Sequence, residues 1–219
     1  MKVLAINTSP RKKRNTEQLL DEVIKGCRSI GDHVEVEMVQ VSDAGESDFK
    51  MCRGCWACKK TGTCVCGDDY VKTILDKIKE ADAIIFGIPV YFYSVTAQCK
   101  VIMDRSLAYM PIGENKVVAT AITCGSAGVA STLQAMQAYY SAQDLLDAGW
   151  VATYGKTDDK KVGKEVAYGL GRKLVRLATI LKDTEAEAAA AAEAGDEDAK
   201  ALLKDMAHTN HFAYGTHTF

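Results

Sequence analysis

The chain lacks an apolar segment long enough to cross a membrane, since no run approaches the roughly twenty residues that a spanning helix needs. It also lacks an excess of charge of either sign, because 27 basic and 29 acidic side chains give a formal net charge of −2. Neither nucleic acid nor a membrane is therefore expected as a partner. The first residues contain only a four-residue apolar run, which is too short for the core of a secretion signal. We expect a cytoplasmic protein.

Two glycine-rich nucleotide motifs are also missing from the segment after the first apolar run. Residues 7–16 read Asn-Thr-Ser-Pro-Arg-Lys-Lys-Arg-Asn-Thr, with neither G-x-G-x-x-G nor G-x4-G-K-[ST]. The 8–16 loop does offer hydroxyls, backbone N–H groups and Arg11 directly before a predicted helix, and such a combination binds phosphate. A phosphate monoester such as that of FMN fits it better than a dinucleotide. The alternative is a solvated basic turn without a ligand.

Short apolar runs alternate with amphipathic segments along most of the chain. Helical spacing predicts a helix after residue 16, a second with Asp68 or Asp69 as its cap, and a third helix over 95–107. A further helix is predicted from the glycines before 129 to about 146, and a last one over 160–181. The apolar runs predict five strands, at 2–6, 34–41, 83–88, 116–123 and 150–154.

This alternation is typical of an α/β fold with a doubly wound parallel sheet, and five strands favour the order 2-1-3-4-5. Ligands then bind outside the carboxyl ends of strands 1 and 3, where the 8–16 loop and the 89–94 loop lie. The 89–94 loop places three aromatic rings beside backbone N–H groups, which suits a flavin; alternatively, the rings only close the core. The 123–128 loop reaches the same edge, and its glycines allow a ligand to approach the backbone.

Five of the eight cysteines fall within residues 52–66, and the first four have the spacing C-x2-C-x2-C-x5-C. Three cysteines at successive three-residue steps can direct their sulfurs to one point, and a fourth completes the ligation of a [4Fe–4S] cluster. Zinc sites of four cysteines usually consist of two separated pairs, so zinc fits less well. A loop of reduced thiols that binds nothing is the alternative. Cys66 could replace Cys64 as the fourth ligand.

The composition changes after residue 182. An alanine-rich stretch has high helix propensity but little to bury, Gly195 interrupts it, and an apolar stripe resumes at 201–206. We expect residues 1–182 to form one domain, with a cysteine-rich loop at 50–68, and residues 183–219 to form a helical extension and tail. The histidines of the tail lack the i, i+4 spacing of a helical metal pair, so no metal site is expected there.

Two segments resemble the NADPH-dependent FMN reductase family, whose fold is flavodoxin-like. The run S-P-R-K-K-R-N-T at 9–16 resembles the family's S-P-R-x3-N-T phosphate loop, although Arg14 stands where a small residue is common. The P-V-Y at 89–91, followed by Lys100 and by Asp-Arg at 104–105, resembles the family's P-V-Y…K…D-R segment. The resemblance covers about residues 1–180.

The cysteine spacing, followed by two aspartates at 68–69, resembles the iron–sulfur flavoprotein branch of that family. The resemblance implies a homodimer or homotetramer in which the cluster of one protomer lies close to the flavin of a neighbour. It implies a [4Fe–4S] cluster on Cys52, Cys55, Cys58 and Cys64. It also implies FMN, with Ser9, Arg11, Asn15 and Thr16 around the phosphate, and with Pro89, Val90, Tyr91, Phe92, Tyr93, Ser94, Cys124, Gly125 and Ser126 around the isoalloxazine ring and ribityl chain.

The expected function is that of an FMN-dependent oxidoreductase that passes electrons between a [4Fe–4S] cluster and FMN. Its electron donor would be ferredoxin or NAD(P)H. One alternative is an NAD(P)H-dependent FMN or quinone reductase without a cluster. Another is a thiol-based redox carrier or sensor.

Overall fold

A computed structural model describes residues 1–67 and 69–207 of the chain. Its five strands form one parallel sheet in the order β2-β1-β3-β4-β5, which confirms the predicted doubly wound, flavodoxin-like fold. Every residue of β3 is buried, because helices cover both faces of the sheet. The strands are β1 (Lys2–Asn7), β2 (Glu35–Gln40), β3 (Ala83–Pro89), β4 (Lys116–Cys124) and β5 (Leu145–Tyr154).

The helices form two layers around this sheet. One layer consists of α1 and α6, and the other consists of α3, α4 and α5. Short 3-10 turns lie at Val41–Asp43, Glu46–Asp48, Ser106–Tyr109 and Thr157–Asp159. The helices are α1 (Asn15–Arg28), α2 (Cys58–Thr61), α3 (Tyr70–Glu80), α4 (Ala97–Arg105), α5 (Val129–Ala142), α6 (Lys161–Glu193) and α7 (Glu197–Met206).

Helices α1 and α6 pack with their backbones almost in contact. A Cβ atom at Gly26 would lie 2.0 Å from the carbonyl oxygen of Tyr168, and one at Gly171 would lie 2.0 Å from that of Val23. Only glycine fits at these two positions, so the crossing of the two helices is fixed by the sequence. This crossing holds α1 against the sheet and thereby sets the direction of its amino-terminal end.

The predicted end of the last long helix, at residue 181, is wrong. Helix α6 continues without interruption to Glu193, because the alanine-rich stretch has a high helix propensity and finds partners on the domain. Lys182 pairs with Asp82 at 2.7 Å, Asn115 donates to Glu185 at 3.1 Å, and Ala188 is buried. The boundary expected after residue 182 thus falls inside one helix, and the division into a domain at 1–182 and a helical extension and tail at 183–219 stays a prediction.

The junction between α5 and β5 also differs from the expectation. Helix α5 ends at Ala142 instead of continuing to about 146, and β5 begins at Leu145 instead of 150. The buried Gln143 closes the turn between them, with its side-chain oxygen accepting from the backbone N–H of Ile112 at 3.0 Å. Helical periodicity could not reveal that long-range bond. The tail at 208–219 lies outside the described residues.

In the part of the chain that the structure describes, no helix has the length and hydropathy needed to span a membrane.

Candidate functional site

The 8–16 loop leaves the carboxyl end of β1 and is fixed from its first residues. Thr8 and Ser9 are buried. The Thr8 hydroxyl donates to the carbonyl of Gly87 on β3 at 2.9 Å, and the backbone N–H of Ser9 donates to the Asn7 side-chain oxygen at 3.1 Å. The Ser9 hydroxyl oxygen accepts from the backbone N–H of Arg11 at 3.2 Å. The loop therefore has a defined conformation, while the Arg11 side chain stays exposed.

The amino-terminal end of α1 follows this loop and carries no side-chain cap. Arg14 occupies the cap position without forming a capping hydrogen bond, so the first turn offers uncapped backbone N–H groups and the positive end of the helix dipole. In the first turn, the Thr16 hydroxyl lies 2.8 Å from that of Thr123, which joins the 8–16 loop to the 123–128 loop. An anion held here would meet the helix end and Arg11.

A fourth segment, the 155–157 turn after β5, belongs to the same edge and was not predicted. Asn15 donates to the Gly155 carbonyl at 2.8 Å, and the Thr157 hydroxyl donates to the Asn15 carbonyl at 3.1 Å. The backbone N–H of Gly155 also donates to the Cys124 carbonyl at 2.9 Å. The sequence signal was available: a glycine follows the last predicted strand, at the edge where the other ligand loops lie.

The 89–94 loop forms a tight turn that holds two aromatic residues in left-handed conformations. Tyr91 and Ser94 exchange backbone hydrogen bonds of 3.0 and 3.1 Å. Phe92 and Tyr93 have φ angles of 47° and 63°, as in a type I′ turn, where asparagine and glycine are the usual residues. The Phe92 side chain is 100% exposed and that of Tyr93 is 63% exposed. These rings do not close the core, and backbone strain of this kind is typical of ligand sites.

The 123–128 loop packs directly against that turn. A Cβ atom at Gly128, whose φ is 103°, would lie 2.7 Å from the Cα of Tyr93. The backbone N–H of Val90 donates to the Thr123 carbonyl at 2.8 Å. Gly125 is exposed, and a Cβ atom built there would have no atom within 4 Å. The structure thus brings the predicted flavin residues to one edge of the sheet, with open space at Gly125.

The side chain of one predicted flavin residue, Cys124, forms a hydrogen bond within its own loop. The Cys124 thiol is buried and donates to the Ala127 carbonyl at 2.9 Å within its own loop. The Cys124 thiol thus has a partner within the protein, whereas Ser126 is exposed. Contact of the predicted residues with FMN stays a prediction.

The cysteine loop forms the wall of a separate cavity of about 70 Å³. Trp56, Val65 and Leu107 supply apolar parts of this wall, and Arg105 supplies a cation. All the thiols are free: those of Cys52 and Cys55 are exposed, whereas those of Cys58, Cys64 and Cys66 are half-buried. The thiols thus share one cavity, although no three Cys, His, Asp or Glu side chains within residues 1–67 and 69–207 are arranged to hold one metal ion.

A buried ion pair lies beneath this cavity. Arg105 is 1% exposed, and its Nη1 donates to the Asp69 carboxylate and, at 3.2 Å, to the Lys50 carbonyl. Asp69 also accepts from the backbone N–H of Lys72 at 2.9 Å, which confirms it as a cap of α3; Asp68 lies outside the described residues. The pair therefore connects the cysteine loop, α3 and α4 in the interior.

Cys64 and Cys66 differ in their tendency to ionise. Burial raises the pKa of the Cys64 thiol, but the backbone N–H of Cys66 and the guanidinium of Arg105 lower it by more, so the net shift is downward. Burial and the neighbouring Cys64 raise the pKa of the Cys66 thiol. The two neighbouring thiols thus shift in opposite directions, and the choice of Cys64 over Cys66 as a fourth ligand stays a prediction.

Helix α4 connects the 8–16 loop to the cysteine cavity. Its cap residue Thr96 donates to the Thr8 carbonyl at 3.0 Å and accepts from the backbone N–H of Cys99 at 3.2 Å. Its last residue is Arg105, at the cysteine cavity. A helix of this length measures about 13 Å, so the 8–16 loop and the cavity meet opposite ends of one rigid element.

Known proteins share both the sequence and the fold. The family described as NADPH-dependent FMN reductase matches residues 1–155. The chain is 35% identical over 202 residues to the iron–sulfur flavoprotein MJ1083 of Methanocaldococcus jannaschii, covering 83% of this chain and 100% of that one. It is 42% identical over 128 residues to an iron–sulfur flavoprotein of Archaeoglobus fulgidus, covering 57% of this chain and 60% of the relative.

A solved structure, that of RosB with bound 8-demethyl-8-formylriboflavin-5'-phosphate, has a TM-score of 0.67 at 19% identity. The match covers 90% of this chain and 88% of RosB, and it supports the fold alone. The family match extends over most of the chain, and the relative from Methanocaldococcus is aligned over its whole length. This chain therefore belongs to the NADPH-dependent FMN reductase family, in its iron–sulfur flavoprotein branch, and is an FMN-dependent oxidoreductase.

Proposed function

We propose that this oxidoreductase is an electron-transfer protein, which passes electrons between a [4Fe–4S] cluster in the cysteine cavity and FMN at the carboxyl edge of the sheet. The observation that carries the proposal is the cavity itself, whose wall contains five thiols and one buried cation. The proposed ligands are Cys52, Cys55, Cys58 and Cys64. The names of the two relatives, both iron–sulfur flavoproteins, support it.

The residues of the cavity fit an anionic iron–sulfur group. Cluster potentials depend on nearby charge, hydrogen bonds to sulfur and exposure to solvent, and Arg105, Trp56 and Leu107 supply a cation and apolar cover. The thiols share a cavity without forming a ready-made metal site. This is compatible with ligation, since metal binding commonly completes the folding of its own ligands. Gly54 and Gly62, with φ angles of 61° and 65°, allow the loop to turn between cysteines.

The residues at the sheet edge fit FMN. The uncapped first turn of α1 and the exposed Arg11 suit its phosphate, and Ser9, Asn15 and Thr16 hold that loop in place. The exposed rings of the 89–94 loop offer a surface for the flat isoalloxazine. Ser126 and the space at Gly125 leave the third loop accessible. The absence of a dinucleotide fingerprint in the 8–16 loop favours FMN over FAD.

The two cofactors would supply the redox chemistry, the cluster exchanging single electrons and FMN exchanging one or two. The chain itself binds, orients and shields them. The turn at 89–94 is locked by its paired backbone hydrogen bonds, so its aromatic rings are presented without a large ordering cost on binding. Gly128 keeps the 123–128 loop against the same turn.

We further propose a homodimer or homotetramer as the working assembly, in which the cysteine cavity of one protomer faces the FMN of a neighbour. Its support is the resemblance of the cysteine spacing and of the two aspartates at 68–69 to the iron–sulfur flavoprotein branch. The electron donor would be ferredoxin or NAD(P)H. Light scattering at micromolar concentration tests the assembly: a monomer that still passes electrons from cluster to FMN would contradict it.

Anaerobic purification followed by absorbance, FMN, iron and acid-labile sulfide measurements tests the function. We expect FMN together with about four iron and four sulfide per chain. Flavin absorbance without iron would contradict the cluster and leave an FMN reductase that lacks one. As a matched pair, Cys58→Ala should lose the iron and Cys66→Ala should keep it, both retaining FMN.

A further inference from the structure

The Arg105 side chain has two buried N–H groups that the described part of the chain leaves without a hydrogen-bond partner. Its Nη1 is used by Asp69 and Lys50, but Nε and Nη2 are both buried and unpaired. Buried donors without an acceptor destabilise a fold, so most are paired in native proteins. Two on one guanidinium indicate that an acceptor belongs beside it.

The direction of the side chain identifies that acceptor. Arg105 lies in the wall of the cysteine cavity, and Asp69 does not. The carboxylate holds Nη1 from the protein side, and with the Lys50 carbonyl it fixes the plane of the guanidinium. The acceptor side chains in the wall of that cavity are the five cysteines and Asp104, and the Asp104 carboxylate is already paired with Lys100. Sulfur atoms accept hydrogen bonds best when they carry negative charge.

We propose that Arg105 is a positioning residue for the metal cluster: its unpaired Nε and Nη2 donate to sulfur atoms in the cysteine cavity, and its charge, held in place by Asp69, stabilises the reduced cluster. This inference rests on the proposed function and deepens it. Hydrogen bonds to sulfur and nearby charge set the potential of such clusters, so Arg105 raises the potential and slows the loss of iron.

A purely structural role for Arg105, as a link between the loop and α4, makes a different prediction. Removing either partner of a structural ion pair would weaken the loop in the same way. If Arg105 acts electrostatically, the two partners have opposite effects on the potential of the cluster: the Arg105 cation raises it, and the Asp69 carboxylate lowers it. The two roles are therefore separated by the direction of the shift in potential.

The test compares three variants as anaerobically reconstituted full-length protein. Arg105→Gln combined with Asp69→Asn removes both charges, avoids an unpaired buried carboxylate, and keeps a side-chain oxygen to cap α3. Asp69→Asn alone keeps the cation. Arg172→Gln is the control, since Arg172 is a half-buried arginine on α6, outside the cysteine cavity, that donates to Ser29 at 2.9 Å.

The measurements are the midpoint potential of the cluster and the rate at which a chelator removes iron, with FMN content and thermal unfolding as checks of the fold. We expect the double variant to have a more negative potential and to lose iron about 10-fold to 100-fold faster. Asp69→Asn should have a more positive potential, and Arg172→Gln should match the wild type.

Two results would overturn the inference. One is a folded, FMN-loaded double variant with the potential and iron-release rate of the wild type. The other is a midpoint potential of Asp69→Asn that shifts in the same direction as that of the double variant. The direction of this shift can be measured even if one of the two variants is less stable than the wild type. Wild-type protein that takes up no iron would instead contradict the cluster proposal, and Arg105 with it.

Discussion

The two cofactor regions of the molecule differ in how much of each is built by the fold. At the sheet edge, loops after four strands are joined by hydrogen bonds such as those between Thr16 and Thr123 and between Asn15 and Gly155. The cysteine loop has neither helix nor strand over residues 52–57. Its links to the rest include the Arg105 contacts and a hydrogen bond of 3.1 Å between Thr63 and Tyr109.

The difference shows that a parallel sheet organises one kind of site and not the other. The edge loops converge because parallel strands all end on one side, and their hydrogen bonds are made without a ligand. The cysteine loop is appended after β2, and ligation itself would have to order its thiols. We expect FMN binding to tolerate damage to the cysteine loop, and iron binding to be more sensitive.

The largest expected effect comes from cutting the interior link between the cysteine loop and the domain. Asp69→Ala leaves the Arg105 charge buried without its carboxylate and removes the cap of α3. Breaking a buried pair in this way costs about 3–5 kcal/mol of unfolding free energy. Equilibrium urea unfolding measures it.

The matched control is Asp104→Ala, which removes the exposed partner of Lys100 on α4. An exposed pair contributes at most about 1 kcal/mol, so this variant should be nearly as stable as the wild type. Equal stability of the two variants would show that the buried pair does not anchor the loop.

The next largest effect concerns FMN binding at the edge of the sheet. Arg11→Ala should weaken FMN binding by about 1.5–3 kcal/mol, since a charge-assisted hydrogen bond to phosphate is lost, and should leave iron content unchanged. Lys12→Ala serves as control, because that ammonium is already paired with Asp43. Fluorescence titration of the apoprotein gives both affinities, and an Arg11 variant with wild-type affinity would contradict the phosphate assignment.

Two glycines of the 123–128 loop provide a further test of the FMN site. Gly128→Ala should destabilise the fold by about 1–2 kcal/mol, because its φ of 103° and its contact with the Tyr93 backbone exclude a Cβ atom. Gly125→Ala meets nothing within 4 Å and should leave stability unchanged while weakening FMN binding. Thermal unfolding with and without FMN separates them; unchanged FMN affinity in Gly125→Ala would show that the ligand does not occupy that space.

The smallest effect lies far from both cofactors. Burial raises the pKa of Asp82, but the Lys182 ammonium and the Lys2 backbone N–H, each bonded to it at 2.7 Å, lower it below its ordinary 3.8. A depressed pKa contributes stability that is present above the unfolded value and is lost as the pH falls through the folded value. Asp82→Asn should therefore be less stable than the wild type at pH 6 and approach it below about pH 4. A stability difference that grows on acidification would contradict this sign.

Local patterns in the sequence predicted the strand order and the loops that reach the ligand edge. Residues 9–16 and 89–94 were found because their chemistry is contiguous in the chain. A glycine after the last predicted strand marks the 155–157 turn, but its role depends on hydrogen bonds that join Gly155 and Thr157 to Asn15 across about 140 residues of chain. Arg105 and Asp69 belong to segments that the sequence analysis singled out, but their ion pair in the interior depends on the tertiary structure. The continuation of α6 to Glu193 likewise depends on contacts with the domain.

The contrast between the two regions is tested most directly by removing iron from anaerobically purified protein with a chelator and then measuring the FMN dissociation constant and the thermal unfolding of the same sample. We predict complete loss of iron with an FMN affinity within about twofold of the starting value and little change in unfolding temperature, because the edge loops are held by their own hydrogen bonds. Loss of FMN in parallel with iron would contradict the account, since it would mean that the cluster, and not the sheet, organises the flavin site.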